Sequence, residues 1–246
     1  MKKKGFTLAE VLITLGIIGT VAAMTMPGLV GNYQKKIRVT QLKKAYITWN
    51  NAFRLMLAGD GVNYLSDTAF ATAVTDSGKN LYNAASSYPE AHTILMKYFK
   101  TTKMVTSPSV GDACNYKTMD GSGPYGLSCD FIKLYLVDGT NYRIWLNDLD
   151  KDTDTNTHGH VFIDVNGDNK PNVMGRDIFE FIVDRTGTLI PTHSLVYNER
   201  WCGVGCVNHW KQQKVFCGTE GSADITDVGG LGCAARIMES GWEMDY

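Results

Sequence analysis

The sequence contains little proline and no excess of either charge. Its 246 residues include 6 prolines and 25 glycines without a Gly-x-y period, which excludes a collagen-like or proline-rich extended chain. Because 24 lysines and arginines nearly balance 25 aspartates and glutamates, no basic surplus marks a non-specific nucleic-acid binder. Hydrophobic residues make up 44% of the chain and charged residues 20%, which excludes wholesale disorder. The length fits one or two compact domains.

The motifs of common hydrolases and nucleotide-binding enzymes are also missing. The chain has no G-x-S-x-G, no H-E-x-x-H and no phosphate-binding P-loop. Ser194 beside His193 does not make a catalytic triad, which also needs a buried acid and an oxyanion site. His158 and His160 are interpreted as solvated residues of a polar loop. We therefore predict no catalytic residues, and the protein is not expected to be an enzyme.

The first 26 residues differ from the rest of the chain. Three lysines and Gly5 precede an apolar run over residues 6–26, in which Glu10 is the one ionisable side chain. As a helix this run spans roughly 30 Å, enough to cross a bilayer. Lysines on its N-terminal side predict a cytoplasmic N-terminus, with the rest of the chain outside. An ordinary secretory signal would instead have a shorter run with its small-residue cleavage site behind it.

The string KKKGFTLAE at residues 2–10 closely resembles the signal of type IV pilins and type II secretion pseudopilins. In that family a prepilin peptidase cuts after the glycine and methylates the new N-terminal residue. The resemblance implies cleavage between Gly5 and Phe6, and N-methylation of Phe6. It also implies an assembly role for Glu10, whose carboxylate pairs with the N-terminal amine of a neighbouring subunit, because a charge in an apolar setting needs an opposite partner.

The helix is predicted to run past the membrane to about Gly59, with a kink at Pro27. Beyond Pro27, apolar residues at spacings of three to five predict an amphipathic helix that packs on a globular head: Tyr33, Ile37, Leu42, Tyr46, Trp49, Phe53 and Met56. The predicted layout is a leader at residues 1–5, a transmembrane and assembly helix at 6–27, an amphipathic continuation at 28–58, and an extracytoplasmic head at 59–246.

The head is predicted to contain an antiparallel sheet. Residues 131–137 and 142–146 are rich in β-formers and flank a hairpin turn, and further strands are predicted at 160–165, 177–183 and 188–191. Residues 60–130 are interpreted as loops and short helices, one of them near 90–100. A further short helix is predicted within residues 232–242, ending at Gly241. A helix followed by an antiparallel sheet is an α+β fold. The resemblance implies the same pilin-like plan, with a disulfide-bounded C-terminal region.

An acidic tract lies between the predicted strands. Oxygen-bearing side chains at alternate positions around a glycine suit a hard cation such as Ca²⁺, and the tract resembles the D-x-N-x-D loops of calcium-binding repeats. It departs from an EF-hand, since Gly175 stands where the bidentate glutamate belongs. Calcium stabilising the loop and a solvated acidic turn remain alternatives. The candidate ligands are Asp150, Asp152, Asp164, Asn166, Asp168 and Asn172, and no other cofactor is expected.

Six cysteines are predicted to lie outside the cytoplasm and to form disulfides: Cys114, Cys129, Cys202, Cys206, Cys217 and Cys233. A Cys114–Cys129 pair is preferred, and the remaining four admit three pairings, among which the sequence does not choose. A zinc site is the alternative, with Cys202, Cys206, His209 and Cys217 as its ligands.

The sequence thus predicts a pilin-like structural subunit, a minor pilin or pseudopilin of a type IV pilus or type II secretion system. The expected partners are other subunits, the prepilin peptidase, the inner-membrane assembly platform and the membrane. The expected location is the inner membrane with the head in the periplasm, and then a pilus or pseudopilus. The alternative is a membrane-anchored extracytoplasmic protein that binds a ligand or DNA. An anchored hydrolase is a third alternative.

Overall fold

The computed structural model describes residues 5, 7–75, 89–106, 116–119, 121, 132–146, 157–192, 217 and 229–246. Within these ranges the chain forms two compact units, Met1–Ile37 and Arg38–Tyr246. The N-terminal unit contains the first part of helix α1, and the second unit contains the remainder of α1 together with a β-sheet and shorter helices.

Helix α1 runs over Leu8–Asp60 and continues through Pro27. This confirms the predicted long helix, and Pro27 does not end it. The helix stops at a Schellman motif: the Val62 N–H donates to the Leu57 carbonyl at 3.1 Å, and the Gly61 N–H donates to the Ala58 carbonyl at 3.3 Å. Gly61 has a φ of 68°, a conformation that favours glycine, so Gly61 fixes where the helix ends.

In the part of the chain that the structure describes, six strands form one antiparallel sheet in simple chain order: β1 Thr101–Thr106, β2 Ile132–Leu136, β3 Asn141–Leu146, β4 Thr157–Asp164, β5 Ile178–Asp184 and β6 Leu189–Pro191. The predicted α+β class and antiparallel sheet are confirmed. Strand β1 lies in the segment interpreted as loops and helices. Among the described strands it pairs with β2 alone, and it exposes Thr102 and Lys103. Polar residues on an edge strand weaken the alternation by which strands are recognised.

The shorter helices are a 3₁₀ turn at Leu65–Asp67, α2 at Ala69–Thr75, α3 at Pro89–Tyr98 and α4 at Cys233–Glu239. Helix α3 was predicted from residues 90–100, and α4 from the segment that ends at Gly241. Helix α4 packs against β5 and, among the described residues, begins at the disulfide between Cys233 and Cys217.

The second part of α1 packs on one face of the sheet. Tyr142, Ile163 and Phe179 lie side by side across β3, β4 and β5 and join the same apolar core as Trp49. The Trp49 ring lies 4.5 Å from Phe53 and 5.6 Å from Tyr142. Seven residues form the buried face of α1: Val39, Leu42, Ala45, Trp49, Ala52, Phe53 and Met56.

The predicted apolar face of α1 was too long at its N-terminal end. Tyr33 is 65% exposed and Ile37 is 39% exposed, and both precede Arg38, where the second unit begins. Helical spacing identifies which residues share a face, but it does not show where the covering structure begins. The buried face of α1 therefore starts at Val39.

Among the described residues, three hydrogen bonds of neutral side chains hold α1 against the sheet. The indole N–H of Trp49 donates to the Gly187 carbonyl at 3.0 Å, and the Tyr142 hydroxyl donates to the Ala45 carbonyl at 2.8 Å. The Asn50 side-chain oxygen accepts the Leu189 N–H at 2.9 Å. Because buried polar groups must be paired, these bonds select one position of the helix on the sheet.

The disulfide Cys217–Cys233 confirms the predicted disulfide-bounded C-terminal region. It is compatible with one of the three pairings left open for the four C-terminal cysteines. It also removes Cys217 from the zinc alternative, because that sulfur is already bonded. Four cysteines lie outside the described residues: Cys114, Cys129, Cys202 and Cys206.

Candidate functional site

The N-terminus of α1 is closed by a reciprocal capping box. The Thr7 backbone N–H and the Thr7 hydroxyl both donate to Glu10 Oε2 at 2.8 Å, and the Glu10 N–H donates to Thr7 Oγ1 at 3.3 Å. Each residue thus satisfies a backbone donor that a helix end leaves unpaired. From the sequence, Glu10 was expected to pair only with a neighbouring subunit, and the cap that Thr7 forms was not predicted. The T-x-x-E spacing of residues 7–10 is the sequence signal of this capping box.

The predicted cleavage site lies immediately before this cap. Gly5 is exposed, and a Cβ added there would meet nothing within 4 Å. No contact within the described chain therefore requires glycine at this position, so a requirement for it would come from an external protein. Phe6 lies outside the described residues.

The first part of α1 exposes a continuous apolar surface. By length and composition, it is the one helix among the described residues that is apolar enough to cross a membrane, and its apolar stretch is wholly unburied. The exposed large side chains are Leu8, Val11, Leu12, Ile13, Leu15, Ile17, Ile18, Val21, Met24, Met26, Leu29 and Val30.

The threonines of this surface keep their polar groups within the helix. The Thr14 hydroxyl donates to the Glu10 and Val11 carbonyls at 2.9 Å, the Thr20 hydroxyl to Ile17 at 2.9 Å, and the Thr25 hydroxyl to Val21 at 3.0 Å. Because hydrocarbon offers no hydrogen-bond partners, this internal pairing makes the surface compatible with lipid or with another apolar helix.

A second group of polar residues occupies the β4–β5 connection, residues 164–177, with Asp177 at its centre. Asp177 Oδ1 accepts the Val173 N–H at 2.7 Å, and Oδ2 accepts the Asn172 N–H at 2.9 Å and the Asn166 side-chain amide at 3.1 Å. The carboxylate therefore holds the loop closed. Asp177 was not among the predicted ligands, because it lies beyond the alternating oxygen pattern.

Asp168 makes different contacts in the same loop. It accepts a hydrogen bond from the Lys133 ammonium and another from the Asn141 side-chain amide at 3.1 Å. Partial burial raises its pKa, but the hydrogen bond and charge of Lys133 outweigh that effect and hold the pKa of Asp168 below its ordinary value. Asp168 is thus a paired residue that remains accessible to solvent.

Asp164, at the end of β4, is buried without such a partner. Its residue is 1% exposed, and neither carboxylate oxygen accepts a hydrogen bond of ordinary geometry within the described chain, although the Asn166 N–H lies close enough to affect its pKa. The pKa of Asp164 is raised to about 8, mainly by burial and also by the charge of Asp177, while Arg143, Lys133 and the Asn166 N–H act in the opposite direction. The side-chain oxygens of Asn166 and Asn172 are buried and unpartnered as well.

The structure thus places four of the six predicted cation ligands in one loop: Asp164, Asn166, Asp168 and Asn172. Asp150 and Asp152 lie outside the described residues.

His158 and His160 both lie in β4, so neither belongs to a polar loop, and His160 lies in the strand predicted at residues 160–165. His158 is buried, and His160 Nδ1 lies 2.9 Å from Glu180 Oε1 while its ring stacks on Trp145 at 5.3 Å. The strand predicted at residues 160–165 thus began three residues after the observed start of β4 at Thr157. Within the described ranges, no three His, Cys, Asp or Glu side chains are grouped so that they could hold a metal ion.

Residues 1–26 match the family described as the prokaryotic N-terminal methylation motif. This motif is the prepilin-type signal of type IV pilins and pseudopilins, so the resemblance inferred from KKKGFTLAE is confirmed for this segment. No curated protein and no solved structure matches the chain. The match supports a pilin-like subunit that is membrane-anchored, processed by prepilin peptidase and assembled with other subunits.

Proposed function

We propose that this protein is a minor pilin or pseudopilin, a structural subunit of a type IV pilus or type II secretion system. The leader is removed after Gly5, Phe6 is methylated, and the subunit enters the filament through its N-terminal helix. The observation that carries the proposal is the methylation motif at residues 1–26, placed on a helix whose apolar surface is unburied.

The helix surface supports this assembly route physically. An apolar surface of this length is stable in lipid before assembly and against neighbouring apolar helices after it. Transfer between these two environments changes little apolar exposure, and no threonine hydroxyl needs a new partner, because each is already bonded to its own helix. The inner membrane is therefore the expected reservoir of subunits.

Glu10 supplies the charge that sets the register between subunits. Its Oε2 caps its own helix through Thr7, whereas Oε1 has no partner in the described chain. Cleavage after Gly5 creates an amine at Phe6, and the corresponding amine of a neighbouring subunit would pair with Oε1 in an apolar setting. The carboxylate would then cap its own helix and bind the neighbour at the same time.

The size of the head favours a minor subunit over a major one. Residues 59–246 are a large head for a major pilin, which fits a minor or tip position. The head would face the periplasm, and the assembly platform of the inner membrane would be a further partner. No enzymatic role is proposed, since the motif is that of structural subunits.

The decisive measurement is the intact mass and N-terminal residue of the protein, taken separately from membranes and from sheared filaments. We expect the chain in filaments to start at Phe6 and to carry one additional methyl group. The same chain from cells that lack prepilin peptidase should start at Met1 and stay in the membrane. A start at Met1 in cells that contain the peptidase would overturn the proposal and favour an anchored ligand- or DNA-binding protein.

A further inference from the structure

The part of α1 that follows its apolar surface carries charge of one sign. No aspartate or glutamate occurs between Glu10 and Asp60, and five basic residues are concentrated in residues 35–44: Lys35, Lys36, Arg38, Lys43 and Lys44. On an exposed helix, acidic residues three or four positions away partly neutralise such charges. Helix α1 has no such residues here, so any neutralising group must come from outside the helix.

Three of the five basic residues interact with the head. Their contacts all lie within the compact unit that begins at Arg38: Arg38 interacts electrostatically with Asp177, Lys43 Nζ lies 5.4 Å from the centre of the Trp242 ring, and Lys44 Nζ lies 2.9 Å from Asp138 Oδ2. Lys35 and Lys36 precede this unit. They belong to the N-terminal unit, together with the apolar surface of α1.

Lys35 and Lys36 come directly after the end of that apolar surface. Val30 is its last large apolar side chain, and Lys35 follows five residues later, a rise of about 7–8 Å along the helix. The polar headgroup region on each side of a bilayer is about 5–8 Å thick, and a lysine side chain can reach back towards it. With the apolar surface in hydrocarbon, both ammonium groups therefore reach the level of the lipid phosphates.

Tyr33 marks the same boundary independently. It lies between Val30 and Lys35 and is 65% exposed. Tyrosine is enriched where a membrane meets water, because its ring is apolar and its hydroxyl is polar. Apolar side chains, an exposed aromatic ring and then two lysines thus follow one another in the order of hydrocarbon, interface and phosphate.

Membrane orientation does not explain these two lysines. The leader lysines at residues 2–4 favour a cytoplasmic N-terminus, whereas basic residues close behind the apolar run favour the reverse. The proposed cleavage after Gly5 then removes the leader lysines and leaves Lys35 and Lys36 in place. An attraction between these lysines and the membrane surface accounts for their position.

We propose that Lys35 and Lys36 bind the headgroups of anionic phospholipids in the leaflet at the C-terminal end of the apolar surface. The proposal rests on the proposed function, which places α1 in the membrane. An ammonium group binds phosphate as a compact point charge. Because adjacent helix residues point in different directions, the two lysines contact separate lipids and do not enclose one phosphate ion. Together they fix the depth of α1 in the bilayer before assembly.

The test reconstitutes the protein purified from membranes into phosphatidylcholine vesicles. Electron paramagnetic resonance of a spin-labelled lipid measures the fraction of that lipid immobilised beside the protein, and hence its relative association constant. We expect spin-labelled phosphatidylglycerol to associate about threefold more strongly than spin-labelled phosphatidylcholine in 0.1 M NaCl. In 1 M NaCl, where the Debye length falls to about 3 Å, the two constants should become equal.

Two double substitutions that remove the same charge from the same helix form a matched pair. Lys35→Gln with Lys36→Gln should make the two association constants equal. Lys43→Gln with Lys44→Gln, about two turns later along α1, should leave the preference for phosphatidylglycerol unchanged. Lys35→Arg with Lys36→Arg keeps both charges and should retain the preference. Any unprocessed leader is shared by all variants, so it does not affect these comparisons.

Three results would overturn the proposal. The first is equal association of the two lipids with the unsubstituted protein in 0.1 M NaCl. The second is an equal loss of preference in both glutamine double variants, which would indicate a general attraction to the positive charge of the chain. The third is a preference that survives Lys35→Gln with Lys36→Gln, because another group would then bind the lipid.

The same spectra separate this proposal from the proposed function. Immobilised lipid without a preference for phosphatidylglycerol would leave membrane anchoring intact and overturn only the role of Lys35 and Lys36. A complete absence of immobilised lipid would mean that α1 does not enter the bilayer, and the proposed function would then fail as well.

Discussion

The two parts of helix α1 make opposite uses of apolar residues. Before Arg38, large apolar side chains are exposed, as Leu15 illustrates with 61% exposure, whereas after it Leu42, Trp49 and Met56 are fully buried. The backbone is helical in both parts. The difference therefore lies in what surrounds the helix: the second part is covered by its own sheet, and the first part needs lipid or another subunit.

The polar side chains of α1 also differ between its two parts. In the first part the threonine hydroxyls donate to carbonyls of their own helix. These hydroxyls therefore need no hydrogen-bond partner from lipid or from a neighbouring subunit. In the second part Trp49 and Asn50 bond to residues of the β5–β6 hairpin. The first part can therefore be surrounded by lipid or by neighbouring apolar helices, whereas the second part is held at one position on its sheet. Substitutions placed in matched positions of the two parts test this contrast.

The largest effect is expected at the start of the helix. Glu10→Ala should leave membrane insertion intact and abolish incorporation into filaments, because the neighbour's amine loses its partner. Incorporation is measured as the share of the protein recovered in sheared filaments.

Thr7→Val is the matched control for Glu10→Ala. It removes the Thr7 hydroxyl contact within the capping box but keeps the carboxylate, so incorporation should persist. Equal loss in both variants would assign the effect to helix capping, and the intersubunit role of Glu10 would be wrong.

The next effect concerns the core. Trp49→Ala should lower the free energy of unfolding by about 3–5 kcal/mol, because it opens a cavity and removes the bond to the Gly187 carbonyl. Leu15→Ala, in the first part of α1, should change it by no more than about 0.5 kcal/mol. Denaturant unfolding of the full chain in detergent, monitored by tryptophan fluorescence and circular dichroism, measures both. A comparable loss from Leu15→Ala would show that the first part also contributes to the folded core.

A smaller effect is expected from a single hydroxyl. Tyr142→Phe removes the bond to the Ala45 carbonyl and should cost about 1 kcal/mol. Tyr33→Phe removes the same group from an exposed position in the first part and should be neutral within the error of a denaturation curve. If both substitutions are neutral, the Tyr142 bond does not help to position α1 on the sheet.

The smallest effect is expected at an exposed ion pair. Lys44 Nζ lies 2.9 Å from Asp138 Oδ2, and Lys44 is largely exposed, so Lys44→Ala should cost at most about 0.5 kcal/mol. Burial alone raises the pKa of Asp138, but Lys44 and Thr140 outweigh it and hold that pKa below its ordinary value.

The direction of the pH dependence follows from this lowered pKa. The contribution of Asp138 is present above its unfolded-state pKa and is lost as the pH falls through the folded-state pKa. In Lys44→Ala the pKa of Asp138 should rise, which an NMR titration of its side chain measures. An unchanged pKa would mean that the Thr140 N–H, rather than Lys44, causes the shift.

Much of the fold was predictable because it depends on local patterns. The length of α1, the sheet from β2 to β6 and helices α3 and α4 follow from helical spacing, strand alternation and turn residues. Strand β1 was missed because an edge strand with exposed Thr102 and Lys103 has little alternation. Tyr33 and Ile37 were assigned to the buried face because spacing alone does not show where covering structure begins.

In the candidate sites, too, the features that depend on neighbouring residues in the chain were predictable and those that depend on distant residues were not. The motif around Gly5 and Glu10 is contiguous in the chain and was recognised, although the Thr7 cap within it was overlooked. The β4–β5 loop was identified as oxygen-rich, but the roles of Asp168 and Asp177 depend on Lys133, Asn141 and the loop backbone. No spacing rule places a lysine of β2 beside an aspartate 35 residues later.

The sequence by itself determined the features that depend on residues close together in the chain: the methylation motif, the long apolar helix, the strands with regular alternation and the acidic loop. Only the tertiary structure decided which carboxylate is buried without a partner and which is paired, because desolvation and charge depend on residues that are distant in sequence. It also decided that Trp49 is buried and Leu15 is exposed. Two apolar residues on one helix differ only in whether the rest of the chain folds over them.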